Sequence, residues 1–152
     1  MTATLDHDLY MRQAILLARN NRAAPFGAVL VHRKTGEVVC GGWNRTRENP
    51  TWHGEIDVLN RHAVVANPNW PELTLYTTAE PCPMCQSAIL WAGIAEVVFG
   101  TSIPTLQIFG WGQIDIRAAE VIARFPGHTC RLIGGVLEAE CDPLFQAAAP
   151  TR

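Results

Sequence analysis

Two matched junctions restrict the fold of this chain more than anything else in it. In "NPTWHGEIDVL" (49–59) a loop rich in Asn and Pro gives way to a helical pattern, and His53 and Glu55 stand at the junction. In "AEPCPMCQSAILWAG" (79–93) the same kind of transition carries Cys82 and Cys85. An imidazole and a carboxylate do not belong in an apolar core, and the two cysteines pose the same question. Together these groups make sense if the two helix starts converge. In an α/β sheet, helices that follow parallel strands begin at a common edge, so convergence asks for strands alternating with helices around both motifs.

The chain supplies that alternation. Residues 8–20 set Leu9, Ile15, Leu16 and Ala18 near one side of a predicted amphipathic helix. "APFGAVLVH" (24–32) and "EVVCGGW" (37–43) predict two strands, and "RKTGE" between them is hairpin chemistry. A helix is expected from His53 to Ala66, stopped by "NPNWP". "LTLYTT" (73–78), "AEVVFG" (95–100) and "TCRLIGG" (129–135) read as strands. Between and after them, "PMCQSAILWAG" (83–93), "QIDIRAAEVIARF" (113–125) and "LEAECDPLFQAA" (137–148) read as helices. Without a repeat, low-complexity tract or linker, one domain over 1–152 is expected. The class is α/β, a three-layer α/β/α sandwich on a mixed sheet of about five strands, with the hairpin as its antiparallel part.

Charge and cysteine usage narrow the partners. Twelve Lys and Arg against fourteen Asp and Glu give a net charge of −2. Proteins that hold nucleic acid usually show a basic face. Here Arg12, Arg19, Arg22, Arg33, Lys34, Arg45, Arg47 and Arg61 lean only the first half basic, so a polyanionic partner is disfavoured. No apolar run approaches the ~20 residues of a membrane span. Asp6, Asp8, Arg12 and Arg19 do not suit a signal peptide, so a cytoplasmic location is expected. Five cysteines are an odd, sparse set, unlike a secreted disulfide framework. In a reducing compartment a close pair points to metal or redox chemistry.

Cys82 and Cys85, spaced i, i+3, face one side of a helix's first turn. The dipole and free N–H groups of that turn favour thiolate over thiol. Two thiolates are half a zinc site, and His53 can supply a third ligand. Glu55, two residues on, points about 200° away around a regular helix, the place of a general acid/base rather than of a ligand. Three protein ligands leave one tetrahedral position for water, as in catalytic zinc sites, and zinc lowers the pKa of such a water toward ~7. Two plainer readings stand beside this one: a redox C-x-x-C pair, and a structural zinc site completed by Cys40, Cys130 or His62.

"WHGE" with "EPCPMC" resembles the H-x-E…P-C-x-x-C signature of the cytidine/deoxycytidylate deaminase superfamily. The likeness runs from about Leu9 to Phe99, through "PFGAVLV", "GGWNRTRENPTWHGE" and "LYTTAEPCPMCQSAILWAGI", and is to the nucleobase and tRNA-adenosine branches. The resemblance implies Zn²⁺ held by His53, Cys82 and Cys85, with Glu55 as proton shuttle for hydroxide attack and ammonia release. It also implies substrate contacts from Asn44, the backbone N–H of Gly54, the carbonyl of Glu80 and the ring of Phe26, and it suggests a homodimer. "HGE" is similar to the fungal cytosine deaminases and "PFGA" to the guanine deaminases. These features and an acidic C-terminal helix favour a free nucleobase: guanine, cytosine or a related aminopurine, pyrimidine or triazine. A tRNA adenosine deaminase is the alternative, carried by "GWNR" and "NPT".

The remaining candidates have plainer expectations. His7, His32, His62 and His128 lack spacing partners and read as surface or satisfied core residues. Cys40, Cys130 and Cys141 read as small buried hydrophobes, and Asp57 as an acid complementing a helix dipole. "GTSIPTLQIFGWGQ" (100–113) reads equally as a lid or as dimer packing.

Overall fold

The structure, a computed structural model, describes residues 4–150; the first three and last two residues of the expected 1–152 domain lie outside it. Asp6 sets the first element. Its carboxylate accepts the Leu9 N–H at 3.2 Å and caps α1 (His7–Ala18), which buries Tyr10, Met11, Ala14, Ile15 and Ala18. The hairpin follows as β1 (Gly27–His32) and β2 (Val38–Trp43). Its turn passes through Gly36 at φ 74°, which a residue without Cβ adopts freely. Then come α2 (Gly54–His62), β3 (Leu73–Ala79), α3 (Pro83–Ala92) and β4 (Glu96–Thr101). The chain continues as α4 (Ile103–Ile108), α5 (Ala118–Ala123), β5 (Arg131–Ile133) and α6 (Glu138–Ala147).

The five strands lie in the order β2-β1-β3-β4-β5. β1 is antiparallel to both β2 and β3, whereas β3, β4 and β5 are mutually parallel. β2 therefore runs in the same direction as β3, and the helices that leave them, α2 and α3, begin at one edge of the sheet. The mixed α/β sheet is the one the sequence predicts.

Strand alternation sorts the core. Ala28, Leu30, Leu75 and Val97 face α2 and α3, where they meet Val58, Leu59, Ile89 and Leu90. Val29, Val31, Tyr76 and Val98 face the other way, against α1 and Cys141 of α6. Every residue of β3 and β4 is buried, and each fully buried leucine stabilises the fold by roughly 1.5–3 kcal/mol. A third cluster of Ala79, Leu106 and Phe145, with Phe26 and Trp111 around it, gathers where β3 ends.

Three boundaries differ from expectation, each for a local reason. The helix expected to reach Ala66 stops at His62, whose Nε2 meets the Pro68 carbonyl at 2.7 Å. The stretch after β4 contains α4, capped by Ser102 accepting the Thr105 N–H at 3.2 Å. The helix expected over 113–125 is confined to α5, because Glu80 takes the Ala118 N–H at 2.8 Å and fixes its start. Among the described residues, no helix is long and apolar enough to cross a membrane.

Candidate active site and metal centre

His53 and Cys82 occupy equivalent positions. Each is the extended residue before a helix, at φ −68°, ψ 166° and φ −63°, ψ 167°, and neither uses its side chain as a cap. Their carbonyls take the first helical bonds, from the Asp57 N–H at 2.9 Å and the Gln86 N–H at 2.8 Å. Pro83 opens α3, where the missing N–H costs little. Gly54 opens α2 against β1: a Cβ there would lie 2.5 Å from the Phe26 carbonyl oxygen. Close packing thus accounts for glycine at the centre of "HGE".

The three ligand-type atoms converge. His53 Nδ1 lies 3.6 Å from Cys82 Sγ and 3.6 Å from Cys85 Sγ, and all three lie within 4.8 Å of one another. Zn–S bonds of about 2.3 Å and Zn–N bonds of about 2.0–2.1 Å give a tetrahedral N···S edge of about 3.6 Å. The donor set therefore fits zinc in both size and chemistry. Among the described residues, neither Cys40, Cys130 nor His62 joins the cluster as a fourth ligand. Cys82 and Cys85 are not joined in a disulfide.

The closeness of these groups couples their proton affinities. Cys82 is held down to about 4, chiefly by the hydrogen bond from the Cys85 thiol and then by His53. Cys85, keeping the shared proton beside that thiolate in a buried position, is raised. His53 is raised by its hydrogen bond to Cys82.

Glu55 lies in the first turn of α2, 3 % exposed, and accepts the Thr77 hydroxyl at 2.7 Å. Burial, followed by the Cys82 charge, pushes its carboxyl up from the usual range. A raised carboxyl beside a metal-type cluster suits a group that both takes and gives protons. Thr77 escaped the sequence reading, although "LYTT" carried the signal. Strand alternation puts Thr77 on the face of Leu73 and Leu75, under α2, where a hydroxyl needs a partner.

A cavity of about 210 Å³ opens beside this cluster. Phe26, Asn44, Thr46, His53, Glu55, Glu80 and Cys82 line it, together with Trp111, Gly112 and Gln113. The predicted site residues thus border one space, with Gly54 between His53 and Glu55 and Cys85 in the metal-type cluster. A larger groove of about 610 Å³ between α3 and α5 contains none of the metal-type side chains.

Several residues do more than their sequence pattern indicated. The Glu80 carboxylate accepts from Ile103 N at 3.0 Å, Ala118 N at 2.8 Å and Arg117 Nε at 2.9 Å. It ties the turn before Cys82 to the stretch that carries Trp111. Trp111 meets Phe26 edge-on and donates Nε1–H to the Phe145 carbonyl at 2.9 Å, so 111–113 form a wall of the cavity. Asp57, read as a dipole partner, is a buried anchor between Arg45 at 3.2 Å, Arg61 at 3.0 Å and the Trp43 N–H at 3.0 Å. His7 and His128 meet the Tyr76 hydroxyl and the Ile94 carbonyl, whereas His62 pairs through Nε2 with the Pro68 carbonyl and leaves its buried Nδ1 without a partner.

Residues 5–101 match the cytidine and deoxycytidylate deaminase zinc-binding region. The chain belongs to this deaminase family. The tRNA-specific adenosine deaminase of Bacillus subtilis (strain 168) is 34% identical over 147 residues, covering 92% of this chain and 86% of that protein. The guanine deaminase of Bacillus subtilis (strain 168) is 36% identical over 95 residues, 58% of this chain and 60% of that protein. The solved guanine deaminase from Nitrosomonas europaea shares the fold, with a TM-score of 0.80 over 97% of this chain and 86% of that one at 23% identity. Family and cluster together make zinc the cofactor of this deaminase and hydrolysis its reaction class.

Proposed function

We propose that this deaminase acts on a free nucleobase or a close analogue, such as guanine, cytosine or a related aminopurine, pyrimidine or triazine. The carrying observation is the cavity itself. Its volume of about 210 Å³ falls below the ~300–1,000 Å³ typical of drug-sized pockets, and Trp111, packed on Phe26 and Phe145, forms part of its wall. Such a space suits one ring system. The net charge of −2 points the same way.

His53, Cys82 and Cys85 would hold the zinc ion, which when bound would supply the Lewis acidity that makes water nucleophilic near neutral pH. Glu55 takes a proton from the attacking water and passes it to a ring nitrogen as the new C–O bond forms. It then carries a second proton to the departing amine. The C–N bond breaks, ammonia leaves and the ring keeps a carbonyl. Phe26 packs on the ring, while Asn44, the Gly54 N–H and the Glu80 carbonyl orient its polar edge. The expected homodimer has a physical support in Trp91, 80% exposed beside the groove between α3 and α5.

A tRNA adenosine reading has its own support. Arg22, Arg45, Arg47 and Trp43 line a polar groove of about 330 Å³ that shares Asn44 with the cavity, and basic and aromatic side chains together suit a nucleotide strand. Ammonia release from guanine, cytosine and an anticodon stem-loop containing adenosine separates the two. Turnover of a free base is expected, and turnover of the stem-loop alone overturns the free-base reading.

A further inference from the structure

The orientation of one polar side chain in the cavity is dictated by the backbone around it. Asn44 follows β2, is buried, and borders the cavity with His53 and Glu55. The Thr46 backbone N–H, which can only donate, lies 3.1 Å from Asn44 Oδ1, and the Thr46 hydroxyl donates to the same oxygen at 2.8 Å. Asn21 Nδ2 adds a third donor at 3.3 Å and reaches the Asn44 carbonyl at 3.1 Å. Asn21 is oriented in turn, because the Ala24 N–H donates to its Oδ1 at 3.2 Å and turns its amide nitrogen toward Asn44. Backbone donors thus fix which way both amides face, and the Thr46 hydroxyl adds a second hold on Asn44.

An amide oxygen has two lone pairs. With three donors around it, Asn44 Oδ1 has nothing left to accept from a ligand, whereas Nδ2 meets no acceptor among the described residues. We infer that Thr46, with Asn21, is a specificity-determining positioning element: it locks Asn44 so that the side chain offers the cavity N–H donors alone. The ring read by this site therefore presents an acceptor at that edge, a keto oxygen or an unprotonated ring nitrogen. An amino group there would face a donor with no partner, and a buried unpaired donor is costly. The inference rests on the cavity holding the substrate base, and applies to a free base or to one carried by RNA.

Three variants test it, assayed as kcat and KM on guanine and cytosine, with zinc content and Tm recorded. Thr46→Val removes the hydroxyl and keeps the backbone N–H, and Thr46→Ser keeps both. Asn44→Asp keeps an oxygen for Thr46 and Asn21 but replaces the donor with an acceptor. Thr46→Val is expected to raise KM about fivefold, the scale of one hydrogen bond, with kcat within about twofold. Thr46→Ser should restore wild-type KM, and Asn44→Asp should raise KM by more than about a hundredfold at unchanged zinc content. An unchanged KM in Thr46→Val, or near-wild-type KM in Asn44→Asp, overturns the inference. Should Thr46→Val fail to fold, the contrast of Asn44→Asp with Thr46→Ser decides alone. A wild-type protein that deaminates only the anticodon stem-loop defeats the free-base reading instead, and the same variant ratios are then measured on that RNA.

Discussion

On one side of the cavity His53, Glu55, Cys82 and Cys85 sit in or beside the first turns of two helices, backed by the buried strand β3. On the other, Trp111, Gly112 and Gln113 lie in an irregular stretch between α4 and α5. The first side is positioned by regular elements, through N-cap backbone geometry, the i, i+3 spacing of two cysteines and the Thr77 hydroxyl of β3. The second is positioned at long range, by Glu80 gripping Arg117 and by Trp111 donating to the Phe145 carbonyl. The proposed chemistry thus draws on helix starts, whereas the shape of the cavity depends on an irregular stretch held by side-chain contacts. Substitutions of Glu55 and of the stretch around Trp111 should accordingly separate in kinetics, with kcat answering to the former and KM to the latter.

The largest expected effect lies on the chemical side. Glu55→Gln preserves shape and the bond to Thr77 but cannot shuttle a proton, so kcat should fall by about 10² or more. Zinc content should stay at the wild-type level, because Glu55 is not part of the ligand cluster. Metal analysis alongside ammonia release reads both quantities. A variant that lost zinc together with activity would place Glu55 among the ligands and dissolve the distinction between the helix starts and the proton shuttle.

A smaller effect is expected across the cavity. Trp111→Ala removes the ring packed on Phe26 and Phe145 and the bond to the Phe145 carbonyl. KM should rise about twentyfold, the scale of a lost aromatic wall, with kcat changed by less than about threefold. Steady-state kinetics on two different bases adds a sharper reading. If the wall selects the ring, the ratio of kcat/KM between the bases should shift, whereas Glu55→Gln should lower both alike. A fall confined to kcat would mean that the far wall takes part in the chemistry.

The same contrast explains what could be read before any coordinates. His53, Cys82 and Cys85 were legible because a metal site assembled at helix starts needs only short-range spacing and a parallel-strand edge. The core was legible for a similar reason: alternation in Gly27–His32 and Leu73–Ala79 tells which residues face α2 and α3. The far wall left no such trace. Nothing in "FGWGQ" indicates that Trp111 meets Phe145, and Ile114 and Ile116 suggest a helix that begins only at Ala118, where Glu80 holds the backbone. Asp57 was legible in part: it does lie in the first turn of α2, as an acid complementing the dipole should, but its pairs with Arg45 and Arg61, both stacked on Trp43, leave no mark in the local pattern.

The smallest predicted effect tests whether strand β3 helps to position the proposed proton shuttle. Thr77 donates to Glu55 Oε1 at 2.7 Å, and its oxygen also lies 3.0 Å from the Ala79 carbonyl. Both acceptors belong to buried residues. Thr77→Val is close in volume but removes the hydroxyl, leaving the carboxylate free to turn away from its working position. One hydrogen bond of this kind is worth about 1 kcal/mol net, so kcat should fall about fivefold while KM holds. Thr77→Ser should return kcat to within about twofold of wild type, because the donor is restored and only a methyl is lost. If Thr77→Val instead raised KM at constant kcat, Thr77 would be serving the ring rather than the carboxylate. Strand β3 would then contribute to substrate binding, and the division between the two sides would no longer follow the fold.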